Sequence, residues 1–292
     1  MDAGCVMAPG AFNGLTARAV ARHGFEAAYV SGAATSAAAG VPDVGLLTLD
    51  RFVATVREVV DGSRLEAGGA ALPVIADADT GFGEEEMTRR TVMEYQRAGA
   101  AGLHLEDQVF PKRCGHLDGK TLLPVEQAVS KIEWAVRAAL DSGDPEFIVC
   151  ARTDARGVSG MDDAIERATR YVRAGACMVF PEGLRDEGEF EAFAGAMREV
   201  EVGGAGRPPY MLANMTEFGK TPIIPHDRFA QLGYQLVIFP VSTLRIAMGA
   251  VDRMLAGLAE SGSVEASLGD MQTRDRLYDL LGYTPGEPWA FR

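Results

Sequence analysis

The sequence lacks the features that mark several common classes of protein. It contains only four cysteines, which are widely spaced and include no CxxC pair. This pattern predicts neither a disulfide framework nor a structural zinc site. No apolar run approaches the roughly 18 residues of a membrane span, and the first residues lack the basic and apolar regions of a signal peptide. We therefore expect a cytoplasmic protein with reduced cysteines.

Positive charge is also scarce. The chain has 28 Lys and Arg against 41 Asp and Glu, which gives a formal net charge of −13. We expect no nucleic-acid or membrane partner, because both carry negative charge. If the substrate is itself an anion, positive groups must be concentrated locally in the site.

The composition is otherwise that of an ordinary globular protein. Hydrophobic residues make up 47% and charged residues 24%, and 34 glycines and 14 prolines are too few for a collagen-like or disordered chain. The length of 292 residues is normal for an α/β barrel, which typically has about 250 residues.

Short apolar runs recur along the chain, and each ends in small or polar residues. They cover residues 5–9, 27–32, 72–79, 101–107, 147–154, 176–183, 209–215 and 235–242. Continuous apolar runs of this length are typical of strands that are buried on both faces of a parallel sheet.

Helical patterns separate many of these runs. They cover residues 84–98, 124–141, 161–174 and 186–201, with 243–260 and 266–282 after the last strand. Eight strands alternating with helices predict a (β/α)8 barrel of the TIM type. A doubly wound sheet is the alternative, but its glycine-rich fingerprint is missing after the first strand. We predict one barrel domain over 1–292, in which 243–292 form C-terminal helices and a tail.

Polar residues fall at the ends of the predicted strands. They are Ser31, Asp77, Asp79, His104, Glu106, Asp107, Arg152, Asp154, Glu182, Asn214 and Ser242. In a barrel these positions converge on the C-terminal face, where such enzymes place their active sites. Single polar strand ends are common in every protein, but acids or amides at five consecutive strands predict a shared site.

Asp77 and Asp79 are separated by one residue, which places both carboxylates on the same side of a strand. With Glu106 from the next strand they would form an oxygen-rich cluster. Hard cations such as Mg²⁺ or Mn²⁺ prefer such ligands. A capping carboxylate and a rim salt bridge are the alternative reading of the same two residues.

Residues 107–122 form a polar segment that is longer than a minimal βα loop. Long loops of this kind often act as lids. Cys114 lies in it beside Lys112, Arg113 and His116. Cationic neighbours lower the pKa of a thiol and make it an effective acid or nucleophile. An incidental cysteine on a basic loop is the alternative.

Three arginines could bind carboxylates, because a guanidinium pairs with them in a bidentate manner. Arg152 ends the fifth strand, Arg245 follows the eighth, and Arg274 lies near the C-terminus. Spacing alone favours solvated helix faces for Arg245 and Arg274.

The motifs together resemble the isocitrate lyase and phosphoenolpyruvate mutase superfamily. The resemblance covers nearly the whole chain, with these segments in family order: YVSGAA, GVPDVG, ADADTGFG, HLEDQ, KRCGH, ARTDA, FPEG, LANMTEFG and MQTRD. Within the superfamily, LANMTEFGKTP, PVSTLR and MQTRD are most similar to the 2-methylisocitrate lyases. The resemblance implies cleavage of a tricarboxylate, 2-methylisocitrate, to pyruvate and succinate. It also implies a homotetramer whose last helices are exchanged between subunits.

The resemblance assigns roles to individual residues. Asp77 and Asp79 would bind Mg²⁺, with Mn²⁺ as an alternative, while Asp43 and Glu106 support the metal's waters. Cys114 would be the catalytic acid, in a loop with Lys112, Arg113 and His116, and Tyr29 is our candidate base. The substrate would contact Ser31, Gly32, Ala33, Cys114, Gly115, Arg152, Glu182, Asn214, Thr216, Arg245 and Arg274.

Other functions stay open from the sequence alone. They are a phosphonomutase, an oxaloacetate hydrolase, a lyase for another substituted malate, and a noncatalytic barrel that binds a dicarboxylate. Arg245 and Arg274 count against a phosphonomutase, which needs no third carboxylate contact.

Overall fold

Eight strands form the centre of the protein. The computed structural model describes residues 4–65, 69–115 and 117–289, so His116 of the predicted catalytic loop lies outside the described residues. The strands are β1 (Val6–Pro9), β2 (Ala28–Val30), β3 (Val74–Asp77), β4 (Gly102–Glu106), β5 (Ile148–Thr153), β6 (Met178–Pro181), β7 (Tyr210–Asn214) and β8 (Leu236–Phe239). Each lies within one of the apolar runs of the sequence.

All the strand pairs are parallel, and they follow the chain order around the sheet. β1 pairs with β8 in the register Val6–Leu236, and β2 to β8 pair consecutively. The seam between β1 and β2 is closed by a bridge between Gly10 and Tyr29. This order confirms the predicted barrel and excludes the doubly wound sheet, whose strand order reverses at its centre.

Ten α-helices accompany the strands in the described part of the chain. They are α1 (Gly14–Arg22), α2 (Gly32–Ala38), α3 (Leu49–Gly62), α4 (Glu85–Arg97), α5 (Val125–Asp141), α6 (Met161–Arg173), α7 (Glu187–Arg198), α8 (His226–Leu232), α9 (Ser242–Ser261) and α10 (Arg274–Leu281). The helices predicted over 84–98, 124–141, 161–174 and 186–201 are confirmed as α4 to α7. The sequence patterns did not assign α1, α2, α3 and α8, of which α2 and α8 have only seven residues each.

The single helix predicted over 266–282 is wrong. A 3-10 helix covers Glu265–Asp270, the chain is extended at Met271, and α10 begins only at Arg274. The Thr273 side chain accepts a hydrogen bond from Arg276 N–H at 3.3 Å, so it caps a new helix at this point.

The barrel interior is filled by apolar side chains directed inward from the strands. Its buried members are Ala8, Ala27, Tyr29, Ile75, Cys150, Met178, Phe180, Leu212, Leu236 and Ile238. A close-packed interior of this kind is rigid. The packed interior therefore holds the polar residues at the carboxyl ends of the strands in fixed positions.

The last two helices lie differently from the others. No residue of α9 or α10 is buried, whereas the helix after the last strand of a TIM barrel belongs to its outer ring. Apolar side chains of α9 face solvent, with Ile246 at 70% and Leu255 at 50% exposure. Met7 on β1 is also 38% exposed. Within the described ranges, no helix is long and apolar enough to cross a membrane.

Candidate active site

Three carboxylates lie together where β3 and β4 end. Asp77 ends β3, Asp79 follows two positions later and Glu106 ends β4; each is 4–5% exposed. Asp77 is held by two backbone donors, since Gly32 N–H donates to Oδ2 and Asp79 N–H to Oδ1, both at 3.0 Å. A Cβ atom on Gly32 would lie 2.7 Å from Asp77 Oδ2 and 3.1 Å from Asp79 Oδ1. Both aspartates therefore face Gly32. The strand spacing is not the reason, because β3 ends at Asp77 and Asp79 lies beyond it with a φ of 45°.

Burial and charge act differently on the three acids. Burial opposes ionisation of Asp77, but neighbouring His104, Lys112 and Arg152 outweigh it and hold its pKa below the ordinary value. Burial raises the pKa of Asp79 to about 6, although the Lys112 charge opposes the rise. Burial also raises the pKa of Glu106 well above its ordinary value. Asp77 is thus the best stabilised anion of the three.

A lysine ammonium lies within this acid cluster. Lys112 Nζ is 2.8 Å from Asp79 Oδ1 and also contacts the Asp43 carboxylate. Its side chain is only 2% exposed. Burial alone would lower the pKa of Lys112, but the surrounding carboxylates, led by Glu106 and Asp79, raise it well above the ordinary value. The lysine is therefore charged and partly neutralises the cluster.

The oxygen atoms of the cluster fit a hard cation. Asp79 Oδ1 and both carboxylate oxygens of Glu106 are buried. Their charged neighbours are the Lys112 ammonium, 2.8 Å from Asp79 Oδ1, and the Arg152 guanidinium, 3.3 Å from Glu106 Oε2. In the part of the chain that the structure describes, no three His, Cys, Asp or Glu side chains converge as a complete protein cage. Mg²⁺ is usually held by one or two carboxylates, with water and substrate oxygens completing its shell. Asp77 and Asp79 are the residues that could hold it.

Arg152 is the centre of the positive charge. Its guanidinium donates to Asp154 through Nε at 3.0 Å and Nη2 at 3.2 Å, and it lies 3.3 Å from Glu106 and 3.6 Å from Glu182. The guanidinium carbon is also 5.2 Å from the centre of the Phe180 ring. The arginine is 7% exposed, so its charge acts in a poorly solvated environment.

The ends of β2, β6 and β7 complete the floor of the site. Asn214 Nδ2 donates to Glu182 Oε2 at 3.1 Å, and Gly183 N–H donates to Oε1 at 2.8 Å. Thr216 is buried two residues beyond Asn214. Ser31 caps α2, where its hydroxyl oxygen accepts a hydrogen bond from Ala34 N–H at 3.2 Å. The structure therefore brings the predicted residues of these three strands to one face, and Ala33 lies there in the first turn of α2.

The predicted lid is an ordered loop with both ends fastened. Leu123 N–H donates to the Asp107 carbonyl and Val109 N–H to the Thr121 carbonyl, each at 2.8 Å. The Gln108 side chain pairs with the Arg113 backbone through two hydrogen bonds of 2.9 Å. These contacts hold the two arms of the lid side by side: the ascending arm, which begins at Asp107, and the returning arm, which ends at Leu123.

The lid tip lies against the arginine cluster. A Cβ atom on Gly115 would lie 2.3 Å from Glu182 Cγ and 2.5 Å from Arg152 Nη2, distances that no side chain tolerates. Only glycine allows this approach, and it brings Cys114, which is partly buried, to the edge of the site. The lid is thus closed over the site in this structure.

Tyr29 lies beneath the acids, at 2% exposure. Its hydroxyl is 2.6 Å from His104 Nε2, and the two rings stack with centroids 5.8 Å apart. Burial raises the pKa of Tyr29 well above its ordinary value, and burial lowers that of His104 to about 4. The pair is therefore neutral at pH 7, and the Tyr29 hydroxyl and His104 Nε2 share one hydrogen bond.

Three predicted residues do not join the cluster. The Arg113 guanidinium is exposed and donates to the Asp118 carbonyl at 3.3 Å within the lid. Arg245 pairs with Glu217 Oε2 at 3.1 Å and is 42% exposed. Arg274 is the first residue of α10, which packs against α1 through an ion pair between Asp279 and Arg22. For Arg245 and Arg274, the alternative of a solvated helix face describes the single chain.

Four buried residues without an individually predicted role also lie in the site. His104, Asp107 and Asp154 were expected there only as polar strand ends, and Lys120 was not expected there at all. Asp107 accepts hydrogen bonds from Thr153 Oγ1 at 2.8 Å and Asp154 N–H at 3.0 Å. The signal for His104 and Asp154 was their two-residue spacing from Glu106 and Arg152, which places each pair on the same side of a strand.

The chain is similar over most of its length to several known proteins. The sequence profile described as "Phosphoenolpyruvate phosphomutase" matches residues 1–259. A protein of Corynebacterium glutamicum, "Probable 2-methylisocitrate lyase 1", is 49% identical over 275 residues, which cover 94% of this chain and 84% of that protein. The "2-methylisocitrate lyase" of Aeropyrum pernix is 46% identical over 281 residues, covering 95% and 83%. A solved oxaloacetate acetylhydrolase bound to 3,3-difluorooxalacetate superposes with a TM-score of 0.86 at 32% identity, covering 95% and 88%.

Proposed function

The chain belongs to the phosphoenolpyruvate phosphomutase family, and from that membership we propose that it is a carbon–carbon lyase that cleaves 2-methylisocitrate to pyruvate and succinate. The predicted superfamily is thereby confirmed. The observation that carries the proposal is the identity of 46–49% with 2-methylisocitrate lyases over more than nine-tenths of the chain. The site supports it, because a buried arginine and a buried acid pair face each other beneath a closed lid.

The metal proposed for the site is Mg²⁺, with Asp77 and Asp79 as its protein ligands and Asp43 and Glu106 near its waters. When bound, it supplies a Lewis acid that stabilises negative charge on the oxygens of the pyruvate half. Lys112 already contacts Asp43 and Asp79 and adds positive charge on the same side. His116, outside the described residues, is kept as a proposed member of the catalytic loop.

The remaining steps fall to side chains of this chain. The Tyr29–His104 pair accepts the proton of the substrate hydroxyl. The electrons of that O–H bond form the carbonyl of pyruvate as the carbon–carbon bond breaks. The bonding electrons remain on the carbon next to a succinate carboxylate, which Arg152 orients. Cys114 donates a proton to that carbon and completes succinate. The closed lid excludes water while the carbanion exists.

An oxaloacetate hydrolase is the second candidate, because the solved acetylhydrolase shares the fold at 32% identity. That reaction would need a water molecule to attack the carbonyl carbon of oxaloacetate, so that the carbon–carbon bond breaks to give oxalate and acetate. The lyase is preferred because the identity to the 2-methylisocitrate lyases is higher. A lyase for another substituted malate is also favoured, because the "2,3-dimethylmalate lyase" of Eubacterium barkeri is 38% identical over 278 residues and a solved 2,3-dimethylmalate lyase superposes with a TM-score of 0.85 at 34% identity. Both identities are below the 46–49% identity to the two 2-methylisocitrate lyases. A phosphonomutase has less support, since the solved phosphoenolpyruvate phosphomutase is 27% identical. A noncatalytic dicarboxylate-binding barrel is disfavoured, since the buried acid pair would then serve no purpose.

The test of the proposed substrate compares initial rates with 2-methylisocitrate, isocitrate and oxaloacetate. We expect kcat/KM for 2-methylisocitrate to exceed that for isocitrate by about 10–200-fold, the discrimination that a single methyl group provides in an apolar pocket. Pyruvate and glyoxylate distinguish the first two reactions, and oxalate reports the third. A higher kcat/KM for isocitrate or oxaloacetate would replace the proposed substrate.

We also propose that two or more copies of the chain assemble through α9 and α10. Among the described residues, none covers the exposed apolar side chains of α9, and Met7 on the outer face of β1 is exposed as well. An α9 helix from a second copy would cover this face, and Arg274 on α10 could then reach the partner's site. The tetramer, the helix exchange, the single domain and the cytoplasmic location all stay predictions.

This assembly is tested by native mass. We expect a particle of about two or four times 31.1 kDa in light scattering. Ile246→Glu places a charge on the exposed face of α9 and should shift the particle toward the single-chain mass. Glu260→Lys, on the same helix, is the matched control for a change of charge. A wild-type particle of about 31 kDa would contradict the assembly.

A further inference from the structure

Lys120 is a buried lysine on the returning arm of the lid, and the proposed reaction gives it no role. Its side chain is 2% exposed. The ammonium lies 2.8 Å from Asp154 Oδ1 and also donates to the Gly115 carbonyl oxygen. It therefore joins the lid tip to the floor of the site.

The partner on the floor is fixed from several sides. Asp154 is fully buried and receives two hydrogen bonds from Arg152. Its backbone N–H donates to Asp107 Oδ1 at 3.0 Å. Lys120 and Arg152 thus contact the same Asp154 carboxylate. Through these two charged contacts the lid tip is connected to Arg152, the residue proposed to orient the substrate.

The position of Lys120 is constrained in space as well. A Cβ atom on Gly157 would lie 3.2 Å from the ammonium, so the backbone of Gly157 packs closely against the end of the Lys120 side chain. When the lid opens, Gly115 must leave Glu182 and Arg152, and Lys120 on the same lid then loses its contact with the Gly115 carbonyl or with Asp154. The closed lid is therefore the state in which both contacts of Lys120 exist together.

We propose that Lys120 is a positioning residue that fixes the lid tip over the Arg152–Asp154 pair and so places the Cys114 thiol for its proton transfer. The proton-transfer part rests on the proposed lyase function. The contact made by Lys120 is to Gly115, the residue directly after Cys114, so a shift of this carbonyl moves the thiol. A misplacement of about 1 Å can cost about 10²-fold in rate.

The expected kinetic signature is a change in kcat rather than in KM. Lys120→Met removes the ammonium and keeps the length of the side chain, while the two Arg152–Asp154 hydrogen bonds remain. We expect kcat to fall about 10²-fold with KM changed less than about threefold. Lys120→Arg restores a cation at this place and should recover part of kcat.

A second readout needs no turnover. Alkylation of Cys114 by iodoacetamide, followed by peptide mass spectrometry, reports how often the lid opens. Lys120→Met should raise the labelling rate at least about tenfold, since a hydrogen bond to a charged group is lost from the closed state. Cys150, which is fully buried, reports global unfolding and should stay unlabelled.

Lys220→Met is the matched control. Lys220 also contacts the lid, through Asp118 Oδ1 at 2.6 Å, but this pair lies at the surface. We expect both its kcat and its Cys114 labelling to stay within about twofold of wild type. The proposal would be overturned if Lys120→Met had the labelling rate and kcat of the wild type. It would also be overturned if Cys150 in Lys120→Met were labelled as fast as Cys114, because the variant would then be unfolding as a whole. If the wild type releases no pyruvate, the labelling comparison still decides the lid contact separately from the proposed reaction.

Discussion

Replacement of Cys114 by serine is expected to lower kcat for 2-methylisocitrate by about 10²–10⁴-fold while the protein stays folded. The serine hydroxyl has nearly the size of the thiol but is a far weaker acid, so the carbanion is protonated slowly. Gly115 still reaches the Arg152–Glu182 pair, and the acids of β3 and β4 are untouched. We therefore expect substrate and Mg²⁺ to bind with wild-type affinity, as calorimetry would measure.

Cys5→Ser is the matched control for this prediction. Cys5 directly precedes β1, at the end of the barrel opposite the lid, and burial raises the pKa of its thiol to about 11. The control should keep wild-type kcat. Near-normal turnover of Cys114→Ser would remove Cys114 from the proton transfer, even if the lyase reaction itself is established.

Arg152→Met is expected to be the most destabilising single change in the site. The guanidinium compensates Glu106, Asp154 and Glu182, which are all at most 4% exposed. Removing one partner of a buried ionic cluster typically costs about 3–5 kcal/mol, because the remaining charges lose their compensation. We expect this loss in the free energy of unfolding measured with urea, together with loss of detectable substrate binding.

The loss of stability that we expect in Arg152→Met should depend on pH. In the wild type, burial alone would raise the pKa of Asp154. The charges of Arg152 and Lys120 outweigh burial, so this pKa is lower than the ordinary value. Without Arg152, burial dominates and the folded-state pKa of this carboxyl rises above the unfolded one. The folded variant then binds more protons than the unfolded chain, so its stability falls as pH rises. The destabilisation should thus be larger at pH 8 than at pH 5.

Arg170→Met is the control for this experiment. Arg170 pairs with Glu126 at 2.9 Å on the exposed surface, where ion pairs contribute little. Its urea midpoint should stay close to that of wild type at both pH values. A stable Arg152→Met, or a destabilisation that grows toward low pH, would contradict the charge assignment of the cluster.

The barrel was predictable because its strands are buried on both faces. Parallel strands of this kind appear as continuous apolar runs, so their number and order could be read directly. The polar strand ends followed from the same pattern, which is why Asp77, Glu106, Arg152 and Glu182 were located correctly. The helices α2 and α8 were missed because seven residues show less than two full turns of the helical period.

The contacts of the lid could not be predicted from the sequence. Lys120 and Asp154 are 34 residues apart, and their pairing depends on the path of the loop between them and on the approach of Gly115. Arg245 and Arg274 show a different limit. A motif fixes the residue type, but not whether its side chain serves its own chain or that of a neighbour.

The Mg²⁺-dependent lyase reaction is tested by product formation from 2-methylisocitrate with metal-stripped protein, before and after addition of Mg²⁺. We expect equimolar pyruvate and succinate after Mg²⁺ is added and none before. Restoration by Mn²⁺ would fit the same pair of aspartates, whereas Asp79→Asn should weaken the response to either metal. Absence of both products in the presence of Mg²⁺, or equal rates without any divalent metal, would contradict the central claim.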